Sequence, residues 1–142
     1  EQNNFVKAYY KRLTSKNKNI RLKAATAWSK WEASTSKLEQ KKKSLHHFDN
    51  PKVAEAFARI ECHYFINAIF VEEGHILKNT SIISEIPIII VQGRYDVVCP
   101  ARSAWELHKA LPQSQLVIVP DAGHSMGEVS IARELVSATD AV

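Results

Sequence analysis

Residues 86–91 read Ile-Pro-Ile-Ile-Ile-Val, apolar at every position with no polar alternation. A strand with one wet face alternates, so one without alternation must be covered on both faces, as in parallel sheets flanked by helices. Gly93 ends this strand, and Pro100 can open a helix in which Ala104, Leu107, His108 and Leu111 recur at helical spacing. Leu116–Val119 forms a second, β-branched strand, followed by the turn Pro120-Asp121-Ala122-Gly123. A last helix over about Ile131–Ala141 carries Ile131, Leu135 and Ala138 on one stripe. This strand, helix, strand, helix series is an α/β pattern. Two strands alone make a marginal sheet with wet apolar faces. The sheet is therefore expected to be incomplete, its other strands lying upstream of Glu1.

Before residue 85 the period is helical throughout. Phe5, Tyr9 and Leu13 share one face, and Leu22, Ala25, Trp28 and Glu32 share another after the polar break Ser15–Asn19. A third helix is predicted from Asp49-Asn50-Pro51, a capping side chain followed by proline at the first helical position. Its apolar stripe is Val53, Phe57, Ile60 and Tyr64. Gly74 closes this region, and a short helix over Ile76–Ser84 leads into the strand. The chain is expected to divide into a helical part, residues 1–84, and an α/β part, residues 85–142.

Composition narrows the function classes. No apolar run approaches the roughly 20 residues of a membrane-spanning helix, so membrane insertion is not expected. The opening Glu1-Gln2-Asn3-Asn4 is neither a methionine start nor a secretory signal, and is read as a chain lacking its natural N-terminus. Residues 1–50 hold twelve Lys/Arg against four Asp/Glu, yet the lysines lie among helix formers with no nucleic-acid reading motif. They are read as a solvated helical face, with no nucleic-acid partner. Cys62 and Cys99 stand alone, without a second cysteine at zinc or redox spacing. Free thiols fit a reducing, cytoplasmic setting. The pairs His46-His47 and Cys62-His63 lack third and fourth ligands at zinc-like spacing, so no metal and no cofactor is expected.

The chemistry gathers in two loops, Gly93-Arg94-Tyr95-Asp96 and Asp121-Ala122-Gly123-His124, each at the C-terminal end of a strand, where open α/β sheets place their ligands. Taken singly, an Asp in a turn is a cap and a His after Gly is a loop residue. Together they fit the last two roles of the nucleophile, acid, histidine order of an α/β-hydrolase triad. Asp96 would hold the imidazole of His124 in one tautomer while His124 takes the nucleophile's proton.

The segments Ala27-Trp28-Ser29-Lys30-Trp31-Glu32, Phe57-Ala58-Arg59-Ile60-Glu61-Cys62-His63-Tyr64-Phe65, Gly93-Arg94-Tyr95-Asp96-Val97-Val98-Cys99-Pro100 and Pro120-Asp121-Ala122-Gly123-His124-Ser125 together resemble the proline iminopeptidase (prolyl aminopeptidase) family of α/β-hydrolases. The resemblance covers most of the chain. It implies the C-terminal portion of the fold: a helical cap to about residue 80, then the end of an incomplete sheet. It further implies peptide substrates with an N-terminal proline, whose free amine the cap residues Glu32 and Glu61 would hold. A cation drawn into an apolar pocket loses its hydration, and nearby carboxylates replace it. Read without the resemblance, both glutamates would be solvated ion-pair partners of lysine-rich helices. Trp28, Trp31, Tyr64 and Phe65 could wall a pyrrolidine-sized pocket, and Cys99 takes a family position lining the site. Cys62 reads as a small buried filler.

The glycine-flanked serine and the oxyanion loop of that family are expected in the missing N-terminal half. Ser125 directly follows His124 and is not assigned as nucleophile, because neighbours on one loop rarely present their side chains to each other. The portion in hand is expected to be inactive alone. Two rival readings stand beside the peptidase: another esterase or amidase of the same fold, and a non-catalytic module whose basic helices bind an acidic partner.

Overall fold

The computed structural model describes residues 4–39 and 49–140. The chain forms two compact units, one of residues 1–34 and 40–72, the other of residues 35–39 and 73–142.

The first unit is helical. Helix α1, Phe5–Leu13, starts where the Asn4 side chain accepts the Lys7 N–H at 2.9 Å, and it carries Lys11 and Arg12 in its last turn, opposite the negative end of its dipole. Helix α2, Lys18–Thr35, follows Asn17, whose Oδ1 accepts the Asn19 N–H at 2.9 Å. Helix α3, Pro51–Ile66, begins as its sequence predicts, with Asn50 capping Lys52 N–H at 3.0 Å and Pro51 in the first turn.

The buried stripe of α3 differs from the expected one. Ala54, Ala58 and Cys62 face inward, whereas Ile60 is 61% and Tyr64 47% exposed. On α2 the buried residues are likewise small: Ala24, Ala25, Ser29 and Ala33. Small side chains at i, i+4 spacing let helices approach closely, and larger neighbours pack at the margin of the contact. The core joins Leu13, Ala24, Ala25, Ala58 and Cys62, with Val6, Tyr9, Tyr10 and Trp28 packed against it. Within it the Ser29 hydroxyl donates to the Ala54 carbonyl at 3.2 Å, so a buried polar group of α2 is satisfied by α3. Beyond α3, Ala68, Ile69 and Phe70 all take left-handed backbone conformations, φ 50°, 59° and 61°. Side chains with a Cβ occupy that region at a cost, β-branched ones most of all.

The second unit contains helix α4, His75–Lys78, strand β1, Ile89–Gly93, helix α5, Ala101–Ala110, strand β2, Gln115–Val119, and helix α6, Val129–Asp140. Strands β1 and β2 pair in parallel, from Ile89 opposite Gln115 to Gly93 opposite Val119. The first strand was expected over 86–91; it begins three residues later and ends two residues later. Pro87 has no N–H for a ladder, and the partner strand reaches back only to Gln115, whose N–H bonds the Ile88 carbonyl at 2.9 Å. Both α5 and α6 contact both strands. Val119, Ala122 and Ile131 form the core, with Val91, Val117 and Leu135 against it. The cover is partial, for Ile118 on β2 remains 41% exposed. Among the described residues the sheet has two strands, and no helix is long and apolar enough to cross a membrane.

Candidate active site

Strand order brings two loops together. The loop leaving β1 is tied to the one leaving β2 through Arg94 N–H to Val119 O at 2.9 Å and Tyr95 N–H to Ala122 O at 3.0 Å. Gly93 makes this approach feasible: a Cβ there would overlap the Gly123 carbonyl oxygen and stand 2.8 Å from that of Ala122. Only a residue without a side chain fits between the loops.

Across this junction Asp96 Oδ2 meets His124 Nδ1 at 2.9 Å. The other carboxylate oxygen, Oδ1, accepts the N–H groups of Val98 at 2.9 Å and Cys99 at 2.8 Å, and the Gln92 amide approaches Oδ2 at 3.4 Å. The Asp96 side chain is only 6% exposed and that of His124 38%. Burial pushes the Asp96 carboxyl upward, but hydrogen bonds from Cys99, His124 and Val98 and the nearby imidazole outweigh it, and the net shift is downward. An ionised carboxylate only accepts, so Nδ1 carries a proton in this contact, and in the neutral imidazole Nε2 is then the nitrogen without one. Chemically, such an arrangement can act as an oriented, carboxylate-backed base.

Cys99 supplies a backbone N–H to Asp96, and its own exposed thiol is pushed up, first by desolvation and then by the Asp96 charge. It is therefore held as a thiol, the less nucleophilic form. Glu32 and Glu61 belong to the first unit, whereas Asp96, Cys99 and His124 belong to the second. Glu32 lines a cleft of about 530 Å³ with Phe5, Tyr9, Trp28, Trp31 and Phe65. Glu61 accepts the indole N–H of Trp28 at 2.5 Å. Of the four expected aromatic walls, Trp28, Trp31 and Phe65 line this cleft; Tyr64 instead stacks edge-on against Phe70, centroids 5.6 Å apart. Among the described residues no three His, Cys, Asp or Glu side chains gather as metal ligands; His46 and His47 lie outside them.

A correction concerns the nucleophile. Gly123-His124-Ser125-Met126-Gly127 does spell the glycine-flanked serine pattern expected only outside this chain. Its geometry is not that of a nucleophile elbow. An elbow serine sits on a sharp, strained strand-to-helix turn, yet among the described residues positive φ outside glycine occurs only at Ala68, Ile69 and Phe70. The Ser125 oxygen instead accepts the Gly127 N–H at 3.2 Å. Two participants were not singled out in the sequence. Gln92 bridges Asp96 to the carbonyls of Gly93 at 3.0 Å and Cys99 at 3.2 Å, and Glu128 holds the Gly123 N–H at 2.8 Å. A polar residue inside an apolar strand, as Gln92 is, was the available signal for the first; Glu128 carried none.

The α/β-hydrolase sequence profile described as "TAP-like protein" matches residues 53–137, and the chain belongs to that family. Its two-stranded parallel sheet with attached helices is an incomplete portion of the fold. Among its relatives, a Leptolyngbya boryana protein described as "Probable proline iminopeptidase" is 55% identical over 99% of this chain and 44% of its own length. "Proline iminopeptidase" of Xylella fastidiosa is 48% identical over 99% of this chain and 45% of its own length. That of Arabidopsis thaliana is 48% identical over 95% and 36%. The chain thus spans less than half the length of these relatives.

Proposed function

We propose that the protein carrying this chain is a serine aminopeptidase that releases N-terminal proline from peptides. The observation that carries this reading is the 2.9 Å contact between the Asp96 carboxylate and His124 Nδ1, joined to the names of the relatives. His124 Nε2 takes the proton of a serine hydroxyl supplied by the remainder of the protein, and the serine oxygen attacks the prolyl carbonyl. Asp96 stabilises the imidazolium so formed. The imidazolium then protonates the departing amine, and water, deprotonated by the same histidine, hydrolyses the prolyl ester and frees the serine.

Glu32 and Glu61 hold the substrate's cationic amine in a helical cap, where the aromatic cleft beside Glu32 suits a pyrrolidine ring. Cys99 lines the approach. Two free thiols, one of them exposed, support a reducing, cytoplasmic setting. The 142-residue chain is inactive alone, because the nucleophile and oxyanion donors belong to the part of the relatives' length that it does not span.

The test is hydrolysis of prolyl-naphthylamide by the full-length protein. Asp96→Asn should lower kcat by about 10⁴-fold, the scale for losing the acid of such a triad. Full activity in His124→Ala would overturn the reading. Preference for simple esters over prolyl amides would make the protein an esterase instead, and salt-sensitive binding of an acidic partner without hydrolysis would make it an interaction module.

A further inference from the structure

We infer that Glu128 is a positioning residue that sets where His124 stands. This inference rests on the reading of His124 as general base. His124 is too exposed for packing to hold it, and Asp96 orients its ring only if the backbone beneath is fixed. Three consecutive N–H groups fix that backbone. Gly123 N–H donates to Glu128 Oε1 at 2.8 Å. His124 and Ser125 N–H both donate to the Ser36 carbonyl, at 3.1 and 2.7 Å.

Ser36 lies on a short strap, residues 35–39, belonging to the same compact unit though distant in sequence. Glu128 secures this strap too, since its second oxygen, Oε2, accepts the Leu38 N–H at 3.0 Å. One carboxylate therefore clamps the histidine loop and the strap that supports it. The clamp is close: a Cβ on Gly123 would stand 2.9 Å from Leu38 N and 3.3 Å from Glu128 Oε1. The Glu128 N–H closes the ring by donating to the Ser125 carbonyl at 3.0 Å.

Two N–H donors on one carboxylate are charge-assisted bonds, stronger than neutral ones. A glutamine cannot replace them, because one of its ends accepts and the other presents an NH2 to a facing N–H. In the full-length protein, Glu128→Gln should lower kcat roughly 10- to 100-fold with KM changed less than about twofold, as for a small misplacement of a reacting group. Leu38→Pro removes the other N–H donor and sets a ring carbon against Oε2, leaving the Glu128 carboxylate itself unchanged. Leu38 is 44% exposed, so little packing is lost. The two variants should be strongly non-additive, the double no worse than the weaker single.

The readout that distinguishes positioning from bulk stability is the nuclear magnetic resonance signal of the His124 Nδ1 proton bonded to Asp96, expected to shift or broaden in either variant while the protein stays folded. An unchanged signal would overturn the inference, and so, where His124→Ala is inactive, would kcat within twofold of the original or additive effects. If His124→Ala is fully active while Glu128→Gln still disturbs the signal, the proposed reaction fails and the positioning role stands.

Discussion

At the scale of single residues, Asp96 holds together opposing tendencies. Burial favours its neutral form, and the hydrogen bonds from Cys99, His124 and Val98 favour the anion strongly enough that its carboxyl lies below the usual carboxylate range. Such a depressed group adds stability that is complete above the unfolded value, about 3.9. That stability is lost as the pH falls through the lower folded value. Urea unfolding should therefore show a stability gap between the original protein and Asp96→Asn that is constant from pH 7 to about pH 5 and narrows toward pH 3. A gap of equal size at pH 3 would show that the carboxylate's charge is not what the hydrogen bonds stabilise. The pairing of Asp96 with His124 was legible because each stands in the loop after an apolar strand, and the two strands lie side by side. The protonation geometry was not, since it depends on N–H groups whose direction the chain path alone sets.

At the scale of elements, caps and periods located the helices, while side-chain volume decided which faces met. Asn50 and Pro51 marked the start of α3 within the sequence itself, because a cap is a local bond between near neighbours. Its apolar stripe did not mark the buried face: Ala54, Ala58 and Cys62 went inward and Ile60 outward. Period assigns a side, but how closely two helices approach depends on both surfaces. Accordingly Ala58→Leu, which adds bulk to a fully buried position, should destabilise by about 1–3 kcal/mol. Ile60→Ala should change stability by less than about 0.5 kcal/mol, as exposed substitutions do. Chemical denaturation of the two variants checks the pair, and a larger loss at Ile60 would return the buried face to the stripe the sequence suggested. Strand β1 teaches the same lesson, since its apolar run begins at Ile86 but its pairing begins only where β2 offers a partner.

At the scale of the whole molecule, the second unit has two paired strands among its described residues, where an independent sheet ordinarily needs three or more. Ile118, Val129 and Val136 remain exposed on it. The isolated chain should bind a hydrophobic dye and scatter light at concentrations where a protein of the relatives' full length does neither. Equal dye binding by the two would show that these surfaces stay open in the longer protein as well. Legible along the chain were the α/β class, the order of the elements and the meeting of Asp96 with His124, because these follow from periodicity, capping and the position of polar residues after apolar strands. Tertiary structure alone decided that Glu128 and the strap at 35–39 hold the histidine loop, that Trp28 bonds Glu61, and that Ser125 is not at an elbow. Those depend on which distant backbone groups come within hydrogen-bond reach, and no spacing along the chain encodes that distance.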